Sequence, residues 1–129
     1  QMQDLEWRVD KKREILDTYC NLFQDTPGIT FMPEAVYGRC SRWLSVCLIN
    51  PKDFGADRES IRMALEDENI ESRPVWKPMH LQPVFKDARV FGGAVSEKLF
   101  EQGLCLPSGL DLSHGDQERV SIIMKKCRK

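Results

Sequence analysis

The sequence of 129 residues lacks the short motifs that mark most self-contained catalytic sites. It contains no G-x-S-x-G, no H-E-x-x-H, no Walker loop and no G-x-G-x-x-G. Its 19 basic and 20 acidic residues give a net charge of −1, which does not favour a nucleic-acid partner or an anionic membrane. No apolar run reaches the roughly 18 residues of a membrane-spanning helix. These absences favour a small globular domain that binds rather than one with a complete catalytic motif.

The cysteine pattern argues against both a disulfide framework and a structural zinc site. The chain has five cysteines at wide spacings, and no C-x-x-C motif occurs. We therefore expect reduced and mostly buried thiols, as in a cytoplasmic protein. The N-terminus is polar and has no apolar signal segment. The chain does not begin with methionine, so we expect it to be a piece of a longer protein.

Apolar residues recur at helical spacing in four segments of the chain. The predicted helices cover residues 4–24, 58–68, 95–102 and 114–127. Asp57 is expected to cap the second of these helices. In the third, Val95, Leu99 and Phe100 are predicted to form the inner face, and Gly103 is predicted to end it.

Short apolar runs predict the strands. The run WLSVCLI at 43–49 is typical of a buried strand, and a minimal strand is predicted at 104–106. A further strand is expected around 69–72, and residues 31–42 are predicted to be a connector. Together these elements predict an α+β fold, in which helices cover one face of a small sheet of short strands and a long N-terminal helix precedes it.

The segment RPVWKPMHLQPVF at 73–85 concentrates reactive and aromatic side chains on a stiff backbone with three prolines. Arg73 offers a fork for a carboxylate or phosphate, and Lys77 offers a point charge. Trp76 offers a flat face for a ring, and His80 can donate or accept a proton near neutral pH. An equally weighted alternative is an ordinary loop in which Trp76 and Leu81 plug the core.

Several motifs together resemble a known family. The segment at 73–85 is followed by a Gly-Gly pair, by SEKLFEQGLCLPSG at 96–109, and by DQERV in the last helix. This series is similar to the C-terminal part of the DegT/DnrJ/StrS-type sugar-nucleotide aminotransferases, which are fold-type I pyridoxal-phosphate enzymes. The upstream RWLSVCLI and ESIRMALEDENIESRP segments fit the same pattern.

The resemblance implies that residues 1–129 form the small C-terminal domain of such an enzyme. Residues 1–24 would be a long interdomain-type helix, and 41–127 would hold the sheet and its helices. The parent protein would be a homodimer that transfers an amino group, usually from glutamate, to a nucleotide-linked keto-sugar in polysaccharide or glycan biosynthesis. The large N-terminal domain, with the Schiff-base lysine and the cofactor site, would be absent. The chain alone is therefore expected to hold no pyridoxal phosphate and to be inactive.

The resemblance also assigns expected roles to individual residues. Arg73, Trp76, Lys77 and His80 would line the substrate side of the interdomain cleft, and Ser108 would approach it from a neighbouring turn. Arg73 or Lys77 would meet a carboxylate or a phosphate, and His80 a sugar hydroxyl or a phosphate oxygen. No catalytic, cofactor-binding or metal-binding residue is assigned within this chain. The alternative function is a stand-alone sugar-nucleotide-binding or regulatory module without catalysis.

Overall fold

A computed structural model describes residues 2–128 of the chain. These residues form five α-helices and four strands, and this composition confirms the predicted α+β fold. In chain order the elements are α1 (Leu5–Phe23), β1 (Ile29–Phe31), β2 (Ser45–Ile49), α2 (Pro51–Phe54), α3 (Arg58–Asp67), β3 (Arg73–Pro74), α4 (Ala94–Gln102), β4 (Gly103–Leu106) and α5 (His114–Lys126). Short 3-10 helices occur at Met2–Asp4, Met79–Leu81 and Pro83–Phe85. No helix within residues 2–128 is both long and apolar enough to cross a membrane.

The four strands form one antiparallel sheet in the order β1-β2-β4-β3. In the centre of the sheet, Cys47 of β2 pairs with Leu104 of β4. The two-residue strand β3 lies at an edge, where Pro74 can be accommodated although it has no N–H to donate. Strand β1 was not predicted, because its three residues are too few to show a periodic pattern and their partner strand β2 begins only at Ser45.

The strand predicted around 69–72 is wrong, because part of that segment ends a helix instead. Asn69 takes a positive φ of 58°, and the N–H of Ile70 donates back to the carbonyl of Leu65 at 2.9 Å. This arrangement terminates α3 in the way that left-handed residues commonly terminate helices. The pairing with β4 begins only at Arg73.

The hydrophobic core lies on one face of the sheet. Alternate residues of β2, namely Ser45, Cys47 and Ile49, are fully buried, as expected for a strand with one covered face. Helices α1, α3 and α5 contribute buried side chains to this core. Their largest contributions to the core are Tyr19, Phe23, Ile61, Leu65, Val120 and Met124.

Helix α4 contacts β2 and β4 but contributes no buried residue. The predicted inner position of Val95 is wrong, since this side chain is 74% exposed, while Leu99 and Phe100 are half-buried. Only the last turns of the helix therefore pack against the fold. Gly103 ends the helix as predicted, but with an extended φ of −84° rather than a left-handed one, and it begins β4. A side chain there would collide with the carbonyl of Leu99 and with the methyl groups of Val75.

The predicted cap of α3 is confirmed, since the Asp57 carboxylate accepts a hydrogen bond from the Ser60 N–H at 2.7 Å. The prediction of mostly buried thiols needs one correction. Cys47 and Cys105 are buried and Cys20 and Cys127 are half-buried, but Cys40 is exposed. It lies in the 32–44 segment between β1 and β2, in which no residue is buried.

Candidate functional site

A groove of about 480 Å³ lies on the sheet face opposite the core. Leu104 and Leu106 of β4 point into the core, so Cys105 between them points to the other face and forms the groove floor. The walls come from three chain segments: the residues before β2, the edge strand β3, and the turn after β4. The groove therefore joins parts of the chain that are far apart in sequence.

Two tryptophans stack at the mouth of the groove. The rings of Trp43 and Trp76 are 6.0 Å apart between centroids and inclined by 25°. Both side chains remain largely exposed, at 62% and 68%. The alternative in which Trp76 and Leu81 plug the core is wrong, because Leu81 is also 40% exposed. Exposed aromatic faces beside a groove are typical of a surface that meets a ring or a partner.

Arg73 reaches into the groove from the edge strand β3. Its guanidinium pairs with the Glu71 carboxylate, with Nε–Oε1 at 2.7 Å and Nη2–Oε1 at 2.5 Å. Both side chains are more than 70% exposed. An ion pair this exposed contributes little to stability, so the guanidinium is readily available to an incoming anion. A phosphate or carboxylate could accept hydrogen bonds from the same two nitrogens.

Ser108 is buried in the turn that closes the groove after β4. Helix α1 holds this turn through two hydrogen bonds to backbone carbonyls. The Tyr19 hydroxyl donates to the carbonyl of Pro107 at 3.0 Å, and the Lys12 amine donates to that of Ser108. Burial raises the pKa of the Tyr19 phenol and lowers the pKa of Lys12. The first helix therefore positions one wall of the groove.

Replacing Tyr19 with phenylalanine tests this anchor. We expect the free energy of unfolding to fall by about 1–2 kcal/mol, because the carbonyl of Pro107 loses its buried donor. Urea denaturation followed by circular dichroism measures the change. Tyr37→Phe is the matched control, since Tyr37 is 93% exposed and its hydroxyl lies outside the core. Equal effects of the two substitutions would show that the Tyr19 hydroxyl does not hold the turn.

The 32–44 segment, which delivers Trp43 to the groove, is tied to α1 by arginine side chains. Arg13 forms two hydrogen bonds of 2.7 Å with the Glu34 carboxylate. Arg39 contacts Glu6 and Asp10, each at 2.6 Å. The hydrogen bonds from Arg13, and then that from the Cys40 N–H, lower the pKa of Glu34 from 4.5 to about 2. The position of Trp43 thus depends partly on charge pairs.

This depressed pKa predicts an acid-sensitive contribution to stability. The carboxylate of Glu34 has a lower pKa in the folded chain than in the unfolded chain, so its contribution is complete above about pH 4.5. It is lost as the pH falls towards 2. We expect Glu34→Gln to destabilise the chain at pH 7 and to flatten the acid limb of a plot of unfolding free energy against pH. Glu14→Gln removes an exposed carboxylate from α1 and serves as the control. An unchanged acid limb in Glu34→Gln would contradict the assignment.

The five predicted site residues separate into two groups. Arg73, Trp76 and Ser108 line the groove together. Lys77 and His80 do not line it, and His80 instead lies against α4, where Nε2 is 2.8 Å from Oε1 of Glu97. Sequence reasoning missed Trp43, because it begins an apolar run that predicts a buried strand. It also missed Glu97, whose contact with His80 shows no local sequence signal.

The lining of the groove does not fit a pyridoxal-phosphate site. That cofactor needs a lysine amine close to its reactive carbon. Among residues 2–128 no lysine lines the groove, and Glu71, the acid that does line it, is paired with Arg73. Within residues 2–128, no three His, Cys, Asp or Glu side chains converge to hold a metal ion.

The small antiparallel sheet and the helices packed against it form a fold that several solved sugar aminotransferases share. DesI, crystallised with its TDP-sugar product, superposes with a TM-score of 0.87 and 20% identity, covering 98% of this chain and 32% of that chain. PseC of Helicobacter pylori, an aminotransferase involved in the biosynthesis of pseudoaminic acid, gives a TM-score of 0.84 and 19% identity over 98% and 34% of the two chains. At these identities the two likenesses establish the fold.

Sequence comparison establishes the family. Residues 1–125 match the profile of the DegT/DnrJ/EryC1/StrS aminotransferase family, and the chain belongs to that family. EpsN of Bacillus subtilis (strain 168), which is named as a pyridoxal phosphate-dependent aminotransferase, is 40% identical over 124 residues, or 93% of this chain and 31% of EpsN. The chain therefore spans about a third of the length of the proteins it matches.

Proposed function

We propose that this chain is the small C-terminal domain of a pyridoxal-phosphate-dependent aminotransferase that acts on a nucleotide-linked keto-sugar. The observation that carries the proposal is the groove in which the stacked Trp43 and Trp76 lie beside the exposed guanidinium of Arg73. Exposed tryptophan rings next to an arginine guanidinium suit a ligand that combines rings with phosphates. Membership of the aminotransferase family supports the reaction class. Glutamate is the proposed amino donor.

Each groove residue has a role that follows from its chemistry and place. Trp76 would stack on the base or sugar ring, and Arg73 would exchange its Glu71 partner for a phosphate oxygen. Ser108 would face the ligand from the turn that α1 anchors. Lys77 is exposed close to this surface in sequence and would add a positive charge for the phosphates. His80, beside α4, would meet a more distant part of the substrate.

The reactive half of the site would come from the rest of the protein. Pyridoxal phosphate, when bound there, would supply the electron sink for amino transfer. Because no lysine of the described residues 2–128 lines the groove, the site here supports the proposal that this chain alone neither holds the cofactor nor transaminates. The start of α1 exposes Leu5 and Trp7, at 48% and 54%, which suits a helix that continues between domains. We propose a cytoplasmic homodimer for the whole enzyme, with a product used in polysaccharide or glycan synthesis.

The test uses the longest native protein that carries this chain, assayed for glutamate-dependent amination of UDP-, GDP- and dTDP-linked 4-keto-sugars. We expect turnover with one of them, and Arg73→Ala should raise KM by about tenfold through loss of charge-assisted hydrogen bonds. Arg89→Ala, an exposed arginine beside Phe91, is the control. Binding of a sugar nucleotide without turnover would favour the stand-alone binding or regulatory module. Turnover by the 129-residue chain alone would contradict the proposed division of the site.

A further inference from the structure

His80 is less exposed than Arg73, Trp76 and Lys77. It lies in the 3-10 helix Met79–Leu81, and its side chain is only 19% exposed. Its Nε2 atom is 2.8 Å from Oε1 of Glu97, in the first turn of α4. The carboxylate of Glu97 is itself 43% exposed. A half-buried histidine paired with a carboxylate has a restricted ring orientation.

Gly93 provides the space for this contact. Its φ of +114° is a conformation that side-chain-bearing residues rarely adopt. A Cβ atom at this position would lie 3.0 Å from Cε1 of His80 and 3.3 Å from Oε1 of Glu97. The carbonyl of Gly93 also accepts the hydrogen bond from the Glu97 N–H, at 2.9 Å, that begins α4. The missing side chain of Gly93 thus leaves room for the His80 imidazole. The carbonyl of Gly93 begins the helical turn that carries Glu97.

The contact determines which imidazole nitrogen carries the proton. An ionised carboxylate can only accept hydrogen bonds, so Nε2 must be the donor to Glu97. In the neutral imidazole, Nδ1 then has no hydrogen and presents a lone pair. The described part of the chain offers Nδ1 no hydrogen-bond partner. Nδ1 of His80 can therefore accept a hydrogen bond from a ligand.

We propose that Glu97 is a positioning residue that sets the His80 tautomer, so that Nδ1 accepts a hydrogen bond from a sugar hydroxyl of the substrate. The inference rests on the proposed function and deepens it. A phosphate oxygen is an acceptor and cannot pair with an unprotonated Nδ1. His80 therefore recognises the sugar, whereas Arg73, more than 70% exposed with five N–H donors, recognises the phosphates. Carboxylate groups fix histidine tautomers in this way in many enzyme sites.

The tautomer is measured on this chain by nitrogen-15 NMR of its two imidazoles at pH 8, with His114→Asn used to assign His80. We expect a protonated Nε2, whose proton is protected from solvent exchange, and an unprotonated Nδ1. Glu97→Ala should remove that protection, whereas Glu101→Ala, an exposed glutamate one turn further along α4, should preserve it. Glu97→Gln, which keeps an acceptor oxygen, should retain part of it. A protonated Nδ1 in the wild type, or unchanged signals in Glu97→Ala, would overturn the proposal.

Two glycine variants separate the contact with Gly93 from backbone strain. Gly92 and Gly93 both have positive φ values, +71° and +114°, but a Cβ on Gly92 would meet nothing within 4 Å. Gly93→Ala should therefore disturb the His80 signal, while Gly92→Ala should strain the backbone and leave the His80 signal in place. Equal signals in the two variants would show that Gly93 does not support the imidazole.

Kinetics of the whole enzyme link the tautomer to the substrate. We expect Glu97→Ala to raise KM for the sugar nucleotide by about five- to tenfold, the effect of one hydrogen bond, and to change kcat little. In a His80→Ala background the same substitution should have no further effect, because Glu97 acts only through His80. Additive effects would overturn the assignment. If Arg73→Ala leaves KM unchanged, the proposed function fails, while the NMR result still decides the tautomer.

Discussion

Gly28→Ala should lower the free energy of unfolding by about 2–4 kcal/mol, from left-handed backbone strain together with overpacking. Gly28 has a φ of +79° in the turn that enters β1. A Cβ atom there would overlap the backbone N–H of Phe54 and come within 2.9 Å of the carbonyl of Asn50. The carbonyl of Gly28 accepts a hydrogen bond from the Asn50 N–H at 2.7 Å, so the two backbones cannot separate without losing it. The first strand should therefore detach before the rest of the sheet.

Urea denaturation at pH 7 measures this loss, and hydrogen exchange of the Ile29 amide reports whether β1 opens first. Gly38→Ala is the matched control, because its φ is ordinary and a Cβ there meets nothing within 4 Å. We expect the control to stay within about 0.5 kcal/mol of the wild type, as surface substitutions usually do. A small effect of Gly28→Ala would show that α2, which carries Phe54, can move away from the turn without cost.

The helices were predictable because their signals are local. Ile61 and Leu65 face inward at helical spacing, and Asp57 caps the helix that contains them, all within nine positions of the chain. The three residues of β1 and the two of β3 carry no comparable signal. Their extended state depends on pairing with β2 and β4, so it is a property of tertiary contacts rather than of local propensity.

The candidate site was only partly predictable for the same reason. The prolines of 73–85 marked a stiff segment, and Trp76 and Arg73 do lie at the groove. The sequence around Trp76 and Arg73 does not indicate a contact with Trp43. Trp43 comes close to Trp76 through the pairing of β2 with β4. Likewise His80 meets Glu97 across 17 positions, through the placement of α4. Sequence pattern predicts which residue types are available, and the fold decides which of them meet.

The stacked tryptophans give the largest expected effect on ligand binding. Stacking of a nucleobase on an aromatic side chain contributes about 1–3 kcal/mol by alanine substitution, so Trp76→Ala should weaken sugar-nucleotide binding by about 5- to 150-fold. Isothermal titration of the whole enzyme with UDP, GDP and dTDP measures this loss. Tyr37→Ala is the control, because Tyr37 is 93% exposed and does not line the groove.

A Trp43→Ala variant makes the test more specific, because the Trp43 ring stacks on that of Trp76 at 6.0 Å between centroids. We expect Trp43→Ala to weaken binding less than Trp76→Ala, and the double variant to weaken it by less than the product of the two, since the rings act as one surface. If Trp76→Ala and Tyr37→Ala weaken binding equally, the ligand does not stack at the groove. The exposed pair would then be a contact surface for another part of the protein, and Arg73 would have to bind phosphate without an adjacent ring.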